Sequence, residues 1–393
     1  MSLVLNTNID SLIAQGSLTS SGMQLATALQ QLSSGLRVNT AADDAAGFAI
    51  AQGMTSQING LNQASQNAND GVSLTQTASG ALSEVTNDLQ TMRDLAVESL
   101  NATNSSGDRT DLNSQFSQLL ADINSVAANT QFNGVNLLDG TFQGATFQIG
   151  ANAGQTITVA AVSSSKASNL GSLYTVASGN DYTAANVTAG DTGTVAVTDG
   201  NGNVFTTGTI TLTGNQATDL KTIVAAINQA TGSDGIVATV DATGKQVQLS
   251  STASQAITLA YTPATGTEAE ADVGLATSYD LTGATATNLD TAGVTTVDSS
   301  NQALIQIDAA LQQLATTSAQ LGAYQNRFQA AITGLNTDST NLTSAKSAIV
   351  DTDYAQATSN LSKAQILQQA STAMVAQANT IPQNILTLLQ KLP

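Results

Sequence analysis

Two stretches of regularly spaced apolar residues, one at each end of the 393-residue chain, constrain its fold more than any other feature. In the C-terminal stretch, residues 361–392, two rows of apolar or small residues repeat every seven positions. The first row is Leu367, Met374, Ile381 and Leu388, and the second is Ser371, Ala378, Ile385 and Leu392. This pattern predicts an amphipathic helix. Because its only charges are Lys363 and Lys391, the helix is expected to need a partner.

The other end of the chain offers that partner. Residues 3–38 carry aliphatic residues at helical spacing, namely Leu5, Ile9, Leu12, Leu18, Leu25, Leu29, Leu32 and Leu36. Two helices with matching apolar seams at opposite ends of one chain indicate an antiparallel or bundled pair. Gly35 and the Asn39-Thr40 pair predict the turn that ends the N-terminal helix.

The amino-acid composition excludes several classes of function for this chain. Aromatic residues make up 3% of the chain and charged residues 10%, which favours long elements packed through small side chains. The chain has no Cys and no His, so a disulfide framework, a zinc finger and a Ser-His-Asp triad are excluded. For an enzyme, only carboxylate chemistry or metals with oxygen ligands would remain, and we predict no enzyme activity, no cofactor and no metal site.

The charge of the chain is concentrated in its middle. The net charge is −18, yet residues 1–40 and 351–393 are each neutral. Residues 172–298 carry twelve acidic residues against two lysines, a net charge of −10. An acidic middle argues against nucleic acid or an anionic membrane as a partner. Neutral ends would let many copies pack together without charge repulsion.

The N-terminus lacks the basic region and the apolar core of a Sec signal. No run approaches the roughly 18 apolar residues of a membrane span. We therefore expect either a cytoplasmic protein or one exported by a route that leaves its N-terminus uncleaved.

The fold class predicted from periodicity is mainly α, with a small β-hairpin region and an α+β outer insert. Helices are predicted at 44–72, 73–100 and from 112 to 126, with a break at Gly71 and with Asp43 and Asp44 in a first helical turn. Strands follow at 146–149 and 156–162. Within the insert we predict a hairpin at 198–203, a helix at 217–230 and a second hairpin at 235–250. Residues 301–350 return to helical spacing.

This order of elements predicts three domains. Residues 1–40 and 351–393 would form a terminal coiled-coil domain, residues 41–171 and 301–350 a helical rod, and residues 172–300 a variable, solvent-facing insert. Because the ends pair and the next layers pair, the nesting predicts a rod with its termini at one tip and the insert at the other.

Several motifs give the chain a close resemblance to bacterial flagellin over about residues 1–170 and 300–390. The matching text includes NTNIDSLIAQ near the start, QQLSSGLRVNTAADDAAGFAIA at 30–51, NTQFNGVNLLDG at 129–140 and DTDYAQATSNLSKAQILQQA at 351–370. The resemblance implies a structural subunit that polymerises into the flagellar filament, serves swimming motility, and is secreted unfolded through the flagellar type III apparatus to the cell exterior.

The same resemblance implies partners. These are other copies of the chain, the flagellar cap and hook-associated junction proteins, and an export chaperone at the C-terminus. Two alternatives remain at this stage: a hook–filament junction protein, and a secreted adhesin carried on a helical stalk.

The site residues predicted for subunit packing belong to the terminal seams. They are Leu5, Ile9, Leu18, Leu25, Leu29, Leu32, Leu367, Met374, Ile381, Ile385 and Leu388. Their apolar surface exceeds what one intramolecular partner would cover, so the seams are interpreted as surfaces between subunits.

Two further segments resemble flagellin regions that immune receptors detect. On the helix face read by Toll-like receptor 5, Arg93 and Leu95 match the family pattern. Thr91 stands where recognised members carry Arg, and Gln115 where they carry Glu, which predicts weakened recognition.

The segment at 30–51 resembles the one detected by plant immune receptors. The residues of interest are Gln30, Leu32, Arg37, Asp43, Asp44 and Gly47. Detected members usually carry Lys where this chain has Ala42, so subunit packing is predicted as the main role of the segment.

The chain also carries several acidic motifs. Asp199–Asn203 spells the opening of a calcium loop but lacks its Gly and its Glu, so a hairpin turn is predicted instead. The Asp43-Asp44 and Asp351–Asp353 pairs are interpreted as helix caps.

Overall fold

The protein is described from a computed structural model that covers residues 7–176, 180–232, 234–241, 243–265, 269–282, 284 and 286–389. The helices of this part are α1 (Ile9–Ser34), α2 (Ala45–Ser99), α3 (Ser106–Asn129), α4 (Gln216–Thr231), α5 (Val297–Val350) and α6 (Tyr354–Leu389). Its strands are β1 (Gln131–Phe132), β2 (Val135–Asn136), β3 (Ala145–Gln148), β4 (Thr156–Val159), β5 (Leu173–Val176), β6 (Thr192–Thr198), β7 (Val204–Thr206), β8 (Ile210–Thr211), β9 (Ile236–Val240), β10 (Val247–Ser251), β11 (Ala256–Thr265), β12 (Ser278–Asp280) and β13 (Ala286–Thr287).

The chain divides into two compact units. The first takes the chain up to Ala68, Gln148–Thr156, and the chain from Ala330 onward. The second takes Asn69–Phe147 and Ile157–Gln329. The fold is mainly helical with a β-rich insert, which confirms the predicted class. None of the helices within the described residues is long and apolar enough to cross a membrane.

In the first unit, α1 has a defined start and stop. The Asn8 side chain accepts a hydrogen bond from the backbone N–H of Ser11 at 3.1 Å, which caps the helix. Gly35 ends it in the left-handed conformation, at φ 71°, and its N–H donates to the Gln31 carbonyl. The turn predicted at Gly35 is therefore confirmed.

The chain after α1 is tied to the junction between α5 and α6. Leu36 and Asp351 form an antiparallel bridge. The Arg37 N–H donates to the Val350 carbonyl at 2.6 Å, and the Thr352 N–H donates to the Gly35 carbonyl at 2.9 Å. These bonds fix where α1 ends and α6 begins, so the terminal helices meet along their length.

The break predicted at Gly71 is wrong, because α2 runs without interruption from Ala45 to Ser99. Gly71 is buried, and a Cβ built on it would lie 2.5 Å from the Phe328 ring of α5. Phe328 is itself fully buried and packs edge to face on Phe147, with ring centroids 5.3 Å apart. The glycine therefore permits a close helix-to-helix approach and does not end a helix.

The prediction that Asp43 and Asp44 lie in a first helical turn is also wrong, because both precede α2. Residues 41–43 form a turn and α2 starts at Ala45. The Asp43 carboxylate accepts hydrogen bonds from the N–H groups of Asn39 and Thr40. Asp44 stands just before the helix and accepts from the Gly47 N–H at 2.9 Å. The carboxylates thus stabilise the turn and the helix start.

The second unit contains α3, which begins at Ser106, six residues before the predicted start at residue 112. The reason is a capping box: the Asp108 N–H donates to the Ser105 hydroxyl, and the Ser105 N–H donates to the Asp108 carboxylate.

The insert consists of two antiparallel sheets and α4. One sheet has the order β13-β5-β10-β9 and the other β12-β11-β6-β7, with β8 also on β6. Both predicted hairpins, β6–β7 and β9–β10, are confirmed. Ile223 and Ile227 of α4 belong to the same buried core as Val195, Leu249 and Leu259 of the sheets.

The insert begins and ends on neighbouring strands. Tyr174 of β5 pairs with Ala286 of β13. Just outside this pair the Leu289 N–H donates to the Leu170 carbonyl at 3.0 Å. The chain therefore enters and leaves the insert at adjacent points.

Candidate functional site

The candidate site is the surface of the paired helices α1 and α6, whose facing sides use small residues. The buried residues on these sides are Ser11, Ser21 and Ala28 of α1 and Ala357, Ala364 and Ala378 of α6. The Asn8 side chain donates to the Ala378 carbonyl and the Ser11 hydroxyl to the Asn379 side chain, both at 2.8 Å. Small residues let the helix backbones approach closely.

The predicted packing residues of α1 differ in how far the rest of the chain covers them. Leu18, Leu25 and Leu32 are half-buried, and they share a side with the buried residues that face α6. Ile9 is 58% exposed and Leu29 is 51% exposed. One part of the predicted seam therefore packs inside the chain, and another part remains uncovered.

An exposed apolar row runs along α1 outside the seam of small residues. With about 3.6 residues per turn, Leu12, Ile13 and Met23 fall on the same side as Ile9. Leu12, Ile13 and Met23 are 57%, 64% and 63% exposed. A contiguous exposed apolar patch marks a surface that binds another molecule.

On α6, the exposed apolar residues flank the small seam. The second heptad row, with Ser371 and Ala378, is turned inward, while Leu367 and Met374 of the first row stay exposed. Ile366 is exposed as well. Together with Ile13 of α1, Leu367 and Met374 line a groove of about 570 Å³.

We call these exposed residues the α1–α6 surface: Ile9, Leu12, Ile13, Met23, Leu29, Ile366, Leu367 and Met374. Of fifteen large apolar residues exposed in the described part of the chain, nine lie on α1 or α6, the ninth being Tyr354. Exposed apolar area is therefore concentrated on this pair of helices.

Four predicted packing residues cannot be placed in this way. Leu5 lies outside the described residues. Ile381, Ile385 and Leu388 fall within α6, but their side chains lie outside what the structure describes.

Charge on the helix pair is sparse. Within α1 and α6 as described, Asp10 and Lys363 are the charged residues, and both are exposed. Their opposite signs leave the pair neutral, so copies brought together by the apolar row would not repel each other.

The segment at 30–51 joins α1 to α2. Gln30 is exposed, Leu32 is half-buried and Gly47 is buried. The Arg37 guanidinium donates to the Ile349 carbonyl. Backbone and side-chain hydrogen bonds from Thr40, and then the Asn39 N–H, lower the pKa of Asp43. These hydrogen bonds stabilise the turn of the segment and attach the segment to the end of α5.

The predicted receptor residues lie in the second unit. Arg93 donates to Asp308 of α5 at 2.7 Å, and this hydrogen bond raises the pKa of Arg93. Leu95 is 9% exposed, so it is mainly a packing residue. Thr91 and Gln115 are exposed, on α2 and α3 respectively.

The acidic motifs behave as turns and caps. The Asp199 carboxylate accepts hydrogen bonds from the N–H groups of Asn201 and Asn203 inside the β6–β7 hairpin. Asp353 caps α6 by accepting from Ala355 and Gln356. The cap predicted at Asp351 is wrong, because its carboxylate accepts from the Ser347 hydroxyl at the end of α5. Among the described residues, no cluster of three or more acidic side chains is arranged to hold a metal ion.

Sequence reasoning missed part of the exposed row. Ile13, Met23 and Ile366 were not among the predicted packing residues. The signal was present, because Ile9, Leu12 and Ile13 follow the i, i+3, i+4 spacing of one helix side. Considered apart from the seven-residue repeat, this i, i+3, i+4 spacing predicts a second apolar side on α1.

Comparisons with known proteins give the class of molecule. Residues 5–143 match the bacterial flagellin N-terminal helical region, and residues 304–389 match the bacterial flagellin C-terminal helical region. Flagellin C of Vibrio cholerae serotype O1 is 39% identical over 393 residues, covering 99% of this chain and 100% of that protein. Flagellin of Salmonella typhimurium is 35% identical over 501 residues with the same coverage.

Two solved structures also align. FliC from Burkholderia pseudomallei is 23% identical with a TM-score of 0.38, covering 65% of this chain and 99% of that chain. The flagellar junction protein FlgL from Legionella pneumophila is 16% identical with a TM-score of 0.39, covering 77% and 100%.

The sequence matches, which span almost the whole chain, define a flagellar structural protein. The chain belongs to the bacterial flagellin family and is a subunit that polymerises into the flagellar filament. The extent of the flagellin matches favours this function over the junction protein and the adhesin.

Proposed function

We propose that this filament subunit assembles by burying its α1–α6 surface against other copies of the chain. The observation that carries the proposal is the exposed apolar row on helices that already have an intramolecular partner. Burying one aliphatic side chain of this size contributes about 1.5–3 kcal/mol. Coverage by neighbouring subunits would therefore stabilise the assembled state strongly relative to the free subunit.

The neutral charge of the helix pair supports the same proposal. Filament packing brings many copies of one surface together, and a net charge on it would oppose assembly. The acidic excess lies instead outside the terminal helices, and residues 172–298 carry −10 of the net charge of −18. We propose that the terminal helices form the inner domain, that residues 41–171 and 301–350 form the rod, and that the insert faces solvent.

Family membership supports the remaining parts of the proposal. The chain would leave the cell unfolded through the flagellar type III apparatus, with an export chaperone covering its C-terminal helix. It would then add beneath the flagellar cap. The proposal contains no catalytic step, since the paired carboxylates act as caps and turns.

Receptor recognition is proposed to be weakened. Thr91 offers a short hydroxyl that already donates to the Asn87 carbonyl, and Gln115 carries no charge. Arg93 is engaged by Asp308, so it would have to share or exchange that partner to bind a receptor. For the plant receptors we likewise propose that the segment at 30–51 serves packing first.

The test of the assembly proposal is Ile13→Asp. A charge in the middle of a buried apolar contact is costly, so purified subunits should lose seeded polymerisation while keeping their circular dichroism spectrum. Val204→Asp is the matched control, because Val204 is 60% exposed but lies in the insert. It should polymerise normally. Filaments from Ile13→Asp at the wild-type rate would refute the proposal.

A further inference from the structure

Two methionines stand out on the α1–α6 surface because thioethers are chemically reactive. Met23 is 63% exposed and Met374 is 62% exposed. We propose that Met23 and Met374 are modification sites at which a peroxide blocks assembly of the free subunit. The inference rests on the proposed function, since it requires the α1–α6 surface to be buried on assembly.

The other described methionines are placed differently. Met92 is fully buried among the core residues of the second unit, and Met54 of α2 is half-buried. Oxidation of methionine depends on access to the sulfur. A peroxide should therefore attack the two α1–α6 methionines before the others, without opening the fold.

The surroundings of the two side chains explain why oxidation would matter. Met374 shares its groove with Ile13 and Leu367. Met23 borders a second groove lined by Gln24, Thr27 and Lys363. A methionine packs by adapting its flexible apolar side chain, whereas the sulfoxide is polar and needs a hydrogen-bond donor. Polar side chains line both grooves, among them Gln377 near Met374, so the apolar contacts that each sulfoxide would lose decide the effect at both sites.

The chemical step is balanced by the peroxide alone. One peroxide oxygen is transferred to the sulfur, the O–O bond breaks, and an S–O bond forms. The sulfur is oxidised by two electrons, and the other oxygen leaves as water for hydrogen peroxide. Methionine sulfoxide reductases reverse the product to the thioether.

Assembly itself would prevent this oxidation. In the free subunit both sulfurs face solvent, whereas in the filament a neighbouring copy would cover them. Oxidation would therefore act on subunits before they add, and an assembled filament would resist it.

The experiment uses hydrogen peroxide on the purified full chain. Free subunits and preformed filaments are treated in parallel, and peptide mass spectrometry gives the oxidised fraction of each methionine. In free subunits, Met23 and Met374 should oxidise several-fold faster than Met92. Oxidised subunits should need a several-fold higher concentration to polymerise on seeds, and treatment with methionine sulfoxide reductases should restore assembly.

Variants assign the effect. A double variant, Met23→Leu with Met374→Leu, keeps apolar side chains of similar volume, and peroxide treatment should leave its own rate of polymerisation unchanged. Met54→Leu is the control and should stay as sensitive as the wild type. Single variants rank the two sites.

The failures are distinguishable. If Met23 and Met374 oxidise as fast in filaments as in free subunits, the α1–α6 surface is not buried and the proposed function itself fails. If they are protected in filaments but oxidised subunits polymerise normally, only the oxidation inference is overturned. A double variant that remains peroxide-sensitive would overturn it as well.

Discussion

At the scale of single residues, glycines in long helices have two different roles. Gly71 lies against Phe328, whereas Gly80, in the same helix, has no atom within 4 Å of the position where a Cβ would stand. A sequence pattern shows only that a glycine interrupts helix propensity. Whether it marks a break or a close contact depends on a residue 257 positions away, which is why the predicted break failed.

This contrast gives a paired prediction. Gly71→Ala should destabilise the free subunit by about 1–3 kcal/mol, because the added methyl group collides with the Phe328 ring. Gly80→Ala should instead stabilise it by up to about 1 kcal/mol through helix propensity. Thermal unfolding followed by circular dichroism measures both, and equal shifts in the two variants would contradict the packing explanation.

A second residue-scale prediction concerns pH. The Asp139 carboxylate accepts hydrogen bonds from the Thr141 hydroxyl, the Thr141 N–H and the Asn136 side chain, and these lower its pKa to about 2. A lowered folded-state pKa contributes stability that is present above the unfolded pKa of 3.8 and is lost as pH falls through about 2.

The variant Asp139→Asn has no such titration. The difference in unfolding free energy between wild type and variant should therefore shrink as pH falls from about 5 towards 2. Urea unfolding at several pH values measures this difference. A gap that stays constant across the range would show that the carboxylate charge contributes nothing.

At the scale of elements, the sequence correctly predicted that the terminal helices form a pair. It did not predict which side of α6 faces α1. Both heptad rows of α6 are visible in the sequence, and nothing in their spacing tells which one faces α1. The structure turns the row with Ser371 and Ala378 inward. Close approach to α1 favours the smaller residues, and that leaves Leu367 and Met374 exposed. Sequence periodicity identifies an apolar side of a helix. Which side faces the partner helix depends on the space available between the two backbones.

This orientation predicts the effect of enlarging the small seam. Ala364, which is 2% exposed, should not tolerate Leu, because the larger side chain would push α1 away from α6 at a cost of about 1–3 kcal/mol. Hydrogen exchange of the α1 amides in the free subunit should then speed up. Ala373→Leu is the control, since Ala373 is exposed on the same helix. Exchange rates that rise equally in both variants would contradict the assigned orientation.

At the scale of the whole molecule, the chain enters and leaves the insert at adjacent points. Because Tyr174 and Ala286 are paired neighbours, residues 175–285 can be replaced by Asn-Gly, a natural two-residue hairpin turn. We expect the shortened chain to polymerise and its net charge to change from −18 to −10, because the deleted residues carry ten acidic side chains and two lysines. Electron microscopy of seeded reactions checks the first expectation. The same deletion carrying Ile13→Asp serves as the negative control.

Loss of filaments in the shortened chain, with its helical content intact, would show that the insert takes part in assembly. The existence of an α+β insert was predictable from turn spacing and from the change in hydrophobic period. The pairing of β5 with β13 was not, because two-residue strand contacts more than a hundred positions apart leave no local signal in one sequence.

That pairing has a consequence for the order of folding. Before the insert folds, α2 and α5 are separated by a long flexible chain, and the entropy of closing a loop grows with its length. Once the insert has folded, Leu170 and Leu289 are held a single hydrogen bond apart, and the loop is effectively closed. Early collapse of the insert would therefore lower the entropic barrier to pairing two helices that lie far apart in the sequence.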